Sequence, residues 1–124
     1  ARAYTGEMQV YEYAEFLNGR LIFSEPEVAG TRDPSYSLFK LDGTAIVSAV
    51  KAPDDADRDG IVIRLFNGYS DHDATAELIF DKNVKRAYLC DLREREIAPV
   101  DVNGKTVTLA PLGHCKFETV YVEV

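Results

Sequence analysis

The amino-acid sequence predicts an all-β fold in which two antiparallel sheets pack face to face as a β-sandwich. Short runs of β-branched and aromatic residues recur about every ten residues, as strands do in sandwiches and barrels. Glycine, proline and aspartate separate these runs, and there is little sign of helix. The 124 residues, 46% hydrophobic and 28% charged, have the size and composition of one globular domain with its own core.

The beginning of the chain is less clear than the rest. Residues 1–35 are predicted as a lead-in strand and loop, and residues 36–124 as the core of the sandwich. Residues 10–17 fit both a strand and a helical turn, and both alternatives stay open. Residues 21–23 look extended, and the prolines and glycine within residues 25–36 predict a loop over the surface.

Eight further segments have the composition of strands. They cover residues 37–41, 44–51, 60–67, 74–80, 84–92, 100–102, 106–110 and 115–124. Strand 60–67 is the clearest of them, because Ile61, Ile63 and Leu65 share one face at the period of two that a strand requires.

Two connections look like hairpins. Residues 68–73, between the strands at 60–67 and 74–80, have the composition of a hairpin loop. Asn103-Gly104 is the strongest short hairpin signal and is predicted to join the strand at 100–102 to the strand at 106–110.

Strand 60–67 is also apolar on its second face, at Val62 and Phe66. A sheet that is apolar on both sides is usually covered on both sides. A second cover from a longer chain explains this pattern, and exposure at the ends of the sheet explains it about as well. Because the sequence starts at Ala1 and has its one methionine at Met8, we expect Ala1 to mark a cut in a longer chain.

The charge balance excludes one class of partner. Acidic residues number 21 against 14 basic residues, and the formal net charge is −7. Nucleic acid is not expected as a partner, because phosphate binding requires a positive surface. No apolar run approaches the roughly 18 residues of a membrane span, so no membrane partner is expected either.

The two cysteines, Cys90 and Cys115, lie in apolar, strand-like stretches without the short spacing of metal ligands. They are predicted to be two buried thiols, and a disulfide between them is the alternative.

An acidic turn is the most evident candidate for a metal site. Asp55, Asp57 and Asp59 precede Gly60 and reproduce the first half of a calcium loop, in which alternate carboxylates converge on the ion. The twelfth position of such a loop should be a bidentate glutamate, but here it is Phe66. The sequence therefore favours a solvated hairpin turn, with calcium binding as the alternative.

Catalytic motifs are not evident. His72, between Asp71 and Asp73, and His114 are predicted to be solvated loop residues, since adjacent loop residues rarely converge on one metal ion. The sequence has no nucleophile elbow, P-loop, dinucleotide fingerprint or zinc-protease motif.

Loop tyrosines are the candidates for carbohydrate contact. An aromatic ring can stack on the apolar C–H face of a pyranose. Tyr36 and Tyr69 lie in predicted loops and are the candidates, with a packing role as the alternative.

Several segments together resemble the C-terminal β-sandwich region of glycoside hydrolase family 38, the α-mannosidases and mannosylglycerate hydrolases. The first segment is Ser-Leu-Phe at residues 37–39, and the second is Ala-Ile-Val-Ser-Ala-Val-Lys at residues 45–51. The third, residues 57–67, is an acidic turn that leads into a strand ending in Arg-Leu-Phe-Asn. The strands that close that region are similar to residues 84–92, 107–112 and 116–119. The resemblance covers about residues 11–124, and Asn67-Gly68 departs from the family's usual Asn-Pro.

The resemblance implies a fragment, the last β-domain of a retaining, zinc-dependent α-mannosidase-like enzyme in the cytoplasm. The zinc ligands and nucleophile of the family lie upstream of this region, so no catalytic residue, metal or cofactor is expected in this chain. The implied partner is the catalytic region of its own parent chain, which would bind a mannose-containing substrate. A second copy of the chain, in a homo-oligomer, is a further implied partner. The alternative is an independent carbohydrate-binding module, and the isolated chain is predicted to be inactive as an enzyme.

Overall fold

The chain divides into two units, Ala1–Ser37 and Leu38–Val124. The computed structural model describes residues 6–19, 30–31 and 35–124. No helix within these ranges is both long enough and apolar enough to cross a membrane.

The first unit contains a helix, α1 (Glu7–Asn18), so the helical alternative for residues 10–17 is the observed one and the strand alternative is not. A helix satisfies its backbone groups within itself, whereas a strand needs a neighbouring strand. Gly19 ends the helix, and its N–H donates to the carbonyl of Glu15 at 2.6 Å. The predicted extended residues 21–23 and most of the predicted loop at 25–36 lie outside the described residues.

The second unit is the predicted antiparallel β-sandwich. Its strands are β1 (Phe39–Gly43), β2 (Ile46–Lys51), β3 (Ile61–Phe66), β4 (Ala76–Phe80), β5 (Arg86–Cys90), β6 (Glu96–Pro99), β7 (Asp101–Asn103), β8 (Thr106–Thr108) and β9 (Phe117–Glu123). A four-stranded sheet has the spatial order β1-β4-β8-β7, and a five-stranded sheet has the order β2-β3-β9-β5-β6.

Strand β9 lies in the middle of the five-stranded sheet. It pairs with β3 over the whole length of that strand, from Ile61 opposite Val122 to Phe66 opposite Phe117. On its other side it pairs with β5. β9 therefore joins the two halves of this sheet.

The hairpin predicted between β3 and β4 is wrong, because these strands belong to different sheets. Residues 68–73 cross from one sheet to the other, and the buried Asn67 fixes their path. Its Nδ2 donates to the carbonyl oxygens of His72 and Leu112, both at 2.9 Å. Its Oδ1 accepts a hydrogen bond from the Tyr69 N–H at 2.8 Å.

We expect Asn67→Ala to lower the free energy of unfolding by about 1–3 kcal/mol, because buried backbone groups lose their partners. The measurement is urea unfolding followed by circular dichroism. Asn83→Ala, at an exposed asparagine, is the matched control and should change the stability by less than about 0.5 kcal/mol. Equal effects of the two substitutions would contradict the bridging role of Asn67.

The second predicted hairpin, between β7 and β8, is confirmed. Asn103 lies opposite Thr106, so the two central residues of the turn are Gly104 and Lys105. Gly104 has a φ of 60°, a left-handed conformation that glycine adopts without strain. A positive φ at the first central residue alone is typical of a type II′ turn, which suits the twist of paired strands.

The main core lies between the two sheets. The five-stranded sheet contributes Ile63 and Leu65, and the four-stranded sheet contributes Leu78 and Val107, all fully buried. The predicted inward face of β3 is therefore correct.

A second, smaller apolar cluster lies on the outer face of the five-stranded sheet. It consists of Val62, Tyr88, Cys90 and Tyr121, each at most 4% exposed. Val62 belongs to the second face of β3, so residues of this chain cover that part of the face.

The prediction of two buried thiols is correct for Cys90 and wrong for Cys115. Both cysteines are free, so the structure does not contain the alternative disulfide. Cys115 is exposed because it lies in the turn before β9, where its φ is 55°. Burial raises the pKa of the Cys90 thiol.

We expect one thiol of the folded chain to react rapidly with a charged aromatic disulfide, and the second to react only after unfolding. The thiolate is the reactive species, and Cys90 is both buried and harder to ionise. Stopped-flow absorbance counts the rapid equivalents, and Cys115→Ser should remove the rapid phase. Two rapid equivalents would show that Cys90 is accessible.

Candidate functional site

The outer face of the five-stranded sheet carries a stacked pair of tyrosines. Tyr88 of β5 lies opposite Tyr121 of β9, and their ring centroids are 4.8 Å apart. Both side chains are nearly fully buried. Burial raises the pKa of the Tyr121 phenol, and Glu123 adds to this effect, so the hydroxyl keeps its proton at neutral pH.

Two arginines lie over these rings. The Arg86 guanidinium is 4.9 Å from the centre of the Tyr88 ring, and its Nη2 is 2.6 Å from Glu96 Oε2. The Arg58 guanidinium is 6.0 Å from the centre of the Tyr121 ring, and its Nη1 donates to the Tyr88 hydroxyl at 3.3 Å. Cation–π contacts and hydrogen bonds therefore hold both guanidiniums in place.

These four side chains line an open pocket of about 370 Å³, which we call the tyrosine–arginine pocket. Its remaining lining residues are all carboxylates, namely Asp57, Asp59, Glu96 and Glu123. The pocket therefore presents hydrogen-bond donors and acceptors side by side.

The acidic turn contributes to this pocket, but the structure does not gather its carboxylates around one point. Asp55 Oδ1 accepts a hydrogen bond from the Asp57 N–H at 3.1 Å, and its Oδ2 is 3.7 Å from Arg58 Nε. Asp57 and Asp59 line the pocket instead. Within the described ranges, no group of three or more His, Cys, Asp or Glu side chains is arranged to hold a metal ion.

Glu94 holds the acidic turn against the sheet. It is 4% exposed and has a φ of 60°, unusual for a residue with a side chain. Its Oε2 accepts from the Asp54 N–H at 2.8 Å, and its carbonyl accepts from Arg58 Nη1 at 2.9 Å. Its Oε1 is 2.7 Å from Lys51 Nζ, an ion pair without good hydrogen-bond alignment. The adjacent carboxylates of Asp54 and Glu94 raise the pKa of Lys51.

Beside this pocket the same face has an open groove of about 570 Å³, which we call the apolar groove. Its exposed walls are Leu92, Ile97 and Phe117, which are 77%, 63% and 58% exposed. The Phe117 ring stacks on Phe66 with a centroid distance of 4.6 Å. The second apolar face of β3 is thus only partly covered.

Arg64 is the cationic residue of the apolar groove. It is half-buried, and its Nε donates a long hydrogen bond to Thr119 Oγ1 at 3.4 Å. Among the residues that the structure describes, it forms no ion pair. Two carboxylates, Asp91 and Glu118, also line the groove, so its charge is mixed although no described carboxylate pairs with Arg64.

The two predicted sugar-contacting tyrosines have different environments. Tyr69 is half-buried, packs against the main core, and has its ring 3.9 Å from the ring of His72. Tyr36, in the first unit, is 49% exposed. The observed contacts of Tyr69 are those of a packing residue.

The histidines lie in exposed loops. His72 Nδ1 is 2.5 Å from Asp71 Oδ1, and both side chains are largely exposed. This contact orients the imidazole on Tyr69. His114 is exposed in the turn that precedes β9.

Sequence reasoning missed Tyr88, Tyr121, Arg86 and Glu94 as site residues. Strand periodicity could have placed both tyrosines opposite the inward residues of their strands. It could not have shown that β5 and β9 are neighbours, and only this pairing stacks the two rings.

The comparisons with known proteins agree with this architecture. The family model described as the glycosyl hydrolases family 38 C-terminal beta sandwich domain matches residues 44–112, more than half of the chain. No curated protein and no solved structure matches the chain significantly. The matched residues run from Thr44, just before β2, to Leu112, which bridges to Ala74, and include strands of both sheets. The chain therefore belongs to the family of C-terminal β-sandwich domains of family 38 glycosyl hydrolases.

Proposed function

We propose that this chain is a non-catalytic domain of an α-mannosidase-like hydrolase and that it packs against the catalytic region of its own longer chain. In this proposal the catalytic region holds zinc, hydrolyses α-mannosidic bonds and supplies the reacting groups. The sandwich supplies a rigid wall beside the substrate cleft. The apolar groove is the observation that carries the proposal.

The side chains of the groove support a docking role. Aromatic residues and arginine are enriched at protein interfaces, and contiguous exposed apolar patches mark interaction sites. Phe117, Leu92 and Ile97 are large apolar residues exposed together on one sheet face. Covering them removes apolar surface from water, which stabilises the docked state by about 25 cal/mol for each Å² buried.

The charged side chains of the groove set a requirement on the surface that docks there. A guanidinium that loses water without gaining a carboxylate is destabilised. The docked surface of the catalytic region is therefore proposed to offer hydrogen-bond acceptors to Arg64 and donors to Asp91 and Glu118 within an apolar surround. A second copy of the chain is the competing occupant of the groove, and the limited-proteolysis experiment distinguishes the two.

The first test is enzymatic and genetic. The purified chain, supplied with zinc, should not hydrolyse an aryl α-mannoside, whereas the full-length product of the natural gene should. Reading the coding sequence upstream of Ala1 should show a frame that continues into a region with zinc ligands. Robust turnover by the chain alone, or a start codon immediately before Ala1, would overturn the proposal. A start codon at that position would favour an independent carbohydrate-binding module.

The second test addresses the groove in the full-length enzyme. Phe117→Ser and Arg64→Glu should each release the domain, which limited proteolysis would detect as faster cleavage between the domain and the rest of the enzyme. Lys40→Glu, a similar charge reversal at an exposed residue of β1, should leave the cleavage rate unchanged. If the groove variants match this control, or only dissociate a homo-oligomer, the catalytic region does not occupy the groove.

A further inference from the structure

We infer that the tyrosine–arginine pocket binds an uncharged sugar of one or two rings. This inference goes beyond the docking role of the neighbouring groove and concerns a site with its own ligand. Four properties of the pocket support it: its hydrogen-bonding groups, the orientation of its side chains, its charge and its size.

The hydrogen-bonding groups of the pocket match those of a sugar. Each sugar hydroxyl both donates and accepts, so a sugar site must offer acceptors and donors close together. Carboxylates only accept, guanidiniums only donate, and phenols do both. The pocket combines four carboxylates with two guanidiniums and two phenols.

Contacts within the chain orient the donors of the pocket before any ligand arrives. Arg86 is held between the Tyr88 ring and the Glu96 carboxylate. Arg58 is held by the Glu94 carbonyl and the Tyr88 hydroxyl. Each guanidinium has five N–H groups, and these contacts use only some of them. A ligand therefore gains hydrogen bonds at a lower entropy cost than that of ordering a free arginine.

The charge and size of the pocket disfavour several classes of ligand. Its carboxylates outnumber its guanidiniums two to one, which disfavours phosphates and sugar acids. Metal ions are disfavoured because, within the described part of the chain, no three ligating side chains converge. A volume of about 370 Å³ lies near the small end of the range for ligand sites. A neutral mono- or disaccharide meets each of these conditions.

The experiment is a titration of the isotope-labelled chain with methyl α-mannoside at millimolar concentrations, followed by amide chemical shifts. Saturable shifts should be confined to residues 57–60, 86–88 and 121–123. Mannose 6-phosphate should bind more weakly than the neutral sugar because of its charge. The absence of saturable shifts, their location around Tyr69, or stronger binding of the phosphate would each overturn the inference.

Two variants assign the binding to individual groups. Arg86→Lys keeps the charge but removes the planar fork, and Tyr88→Phe removes one hydroxyl. Each should weaken binding by roughly tenfold while the remaining spectrum stays that of the folded chain. Arg93→Lys, at an exposed arginine outside the pocket, should bind the sugar as the unmodified chain does. Unchanged binding by both pocket variants would contradict the assigned site.

The result is separable from the docking proposal. Sugar binding is measured on the chain alone, without any catalytic region. A failed titration would leave the groove experiment intact, and a failed groove experiment would leave the pocket intact.

Discussion

Leu65→Ala is expected to lower the free energy of unfolding by about 2–5 kcal/mol, the range found when a large buried side chain is truncated. Leu65 is fully buried in β3, in the core between the two sheets. The substitution removes apolar contacts and leaves a cavity that the closely packed sheets cannot close. Chemical denaturation monitored by tyrosine fluorescence and by circular dichroism gives the difference.

Leu92→Ala makes the same chemical change at a leucine that is 77% exposed. In the isolated chain it should alter the stability by less than about 0.5 kcal/mol. If Leu65→Ala is as mild as this control, the inward face of β3 is assigned wrongly.

Gly43→Ala should be comparably severe, with a loss of about 3 kcal/mol or more from backbone strain and steric overlap together. Gly43 has a φ of 123°, a conformation that residues with side chains rarely adopt. A Cβ atom there would lie 2.3 Å from the carbonyl oxygen of Thr75. The same oxygen accepts hydrogen bonds from the N–H groups of Thr44 and Ala45, both at 3.0 Å, at the corner between β1 and β2.

The control for Gly43 is Gly30→Ala, because a Cβ atom at Gly30 would meet no atom of the described residues within 4 Å. Its melting temperature should stay close to that of the unmodified chain, whereas Gly43→Ala should melt well below it. A small effect at Gly43 would mean that the corner between the two sheets can relax.

The sequence allowed the fold class and most strands to be predicted because strand signals are local. The alternation of Ile61, Ile63 and Leu65 reports which face is buried without knowledge of the partner strands. The Asn103-Gly104 hairpin is equally local, since the turn and both of its strands lie within a few residues.

The errors concern features that depend on distant residues. Strands β3 and β4 are consecutive, and a loop of turn-forming residues between them resembles a hairpin. The bonds from Asn67 to His72 and Leu112 carry the chain across to the other sheet, and sequence spacing does not reveal such bonds. Strand β6 was missed because Glu96–Pro99 is short, includes a proline and lies at a sheet edge, where strand signals are weak.

The candidate site was the least predictable part of the molecule. The acidic turn was recognised, but it was predicted to be a solvated hairpin turn, with calcium binding as the alternative, and not to lie beside two arginines. The stacked tyrosines come from strands more than thirty positions apart in the sequence. Charged residues such as Glu94 are seldom buried, so composition gave no reason to place that side chain inside the structure.

The central position of β9 has a consequence for the order of events during synthesis. β3 and β5 each need β9 as a neighbour, and β9 is the last of the nine strands to be translated. The nascent chain cannot complete the larger sheet until β9 has left the ribosome. Until then β3 and β5 each have an unpaired edge that can pair with other chains, so this is the stage at which the domain is most prone to aggregation.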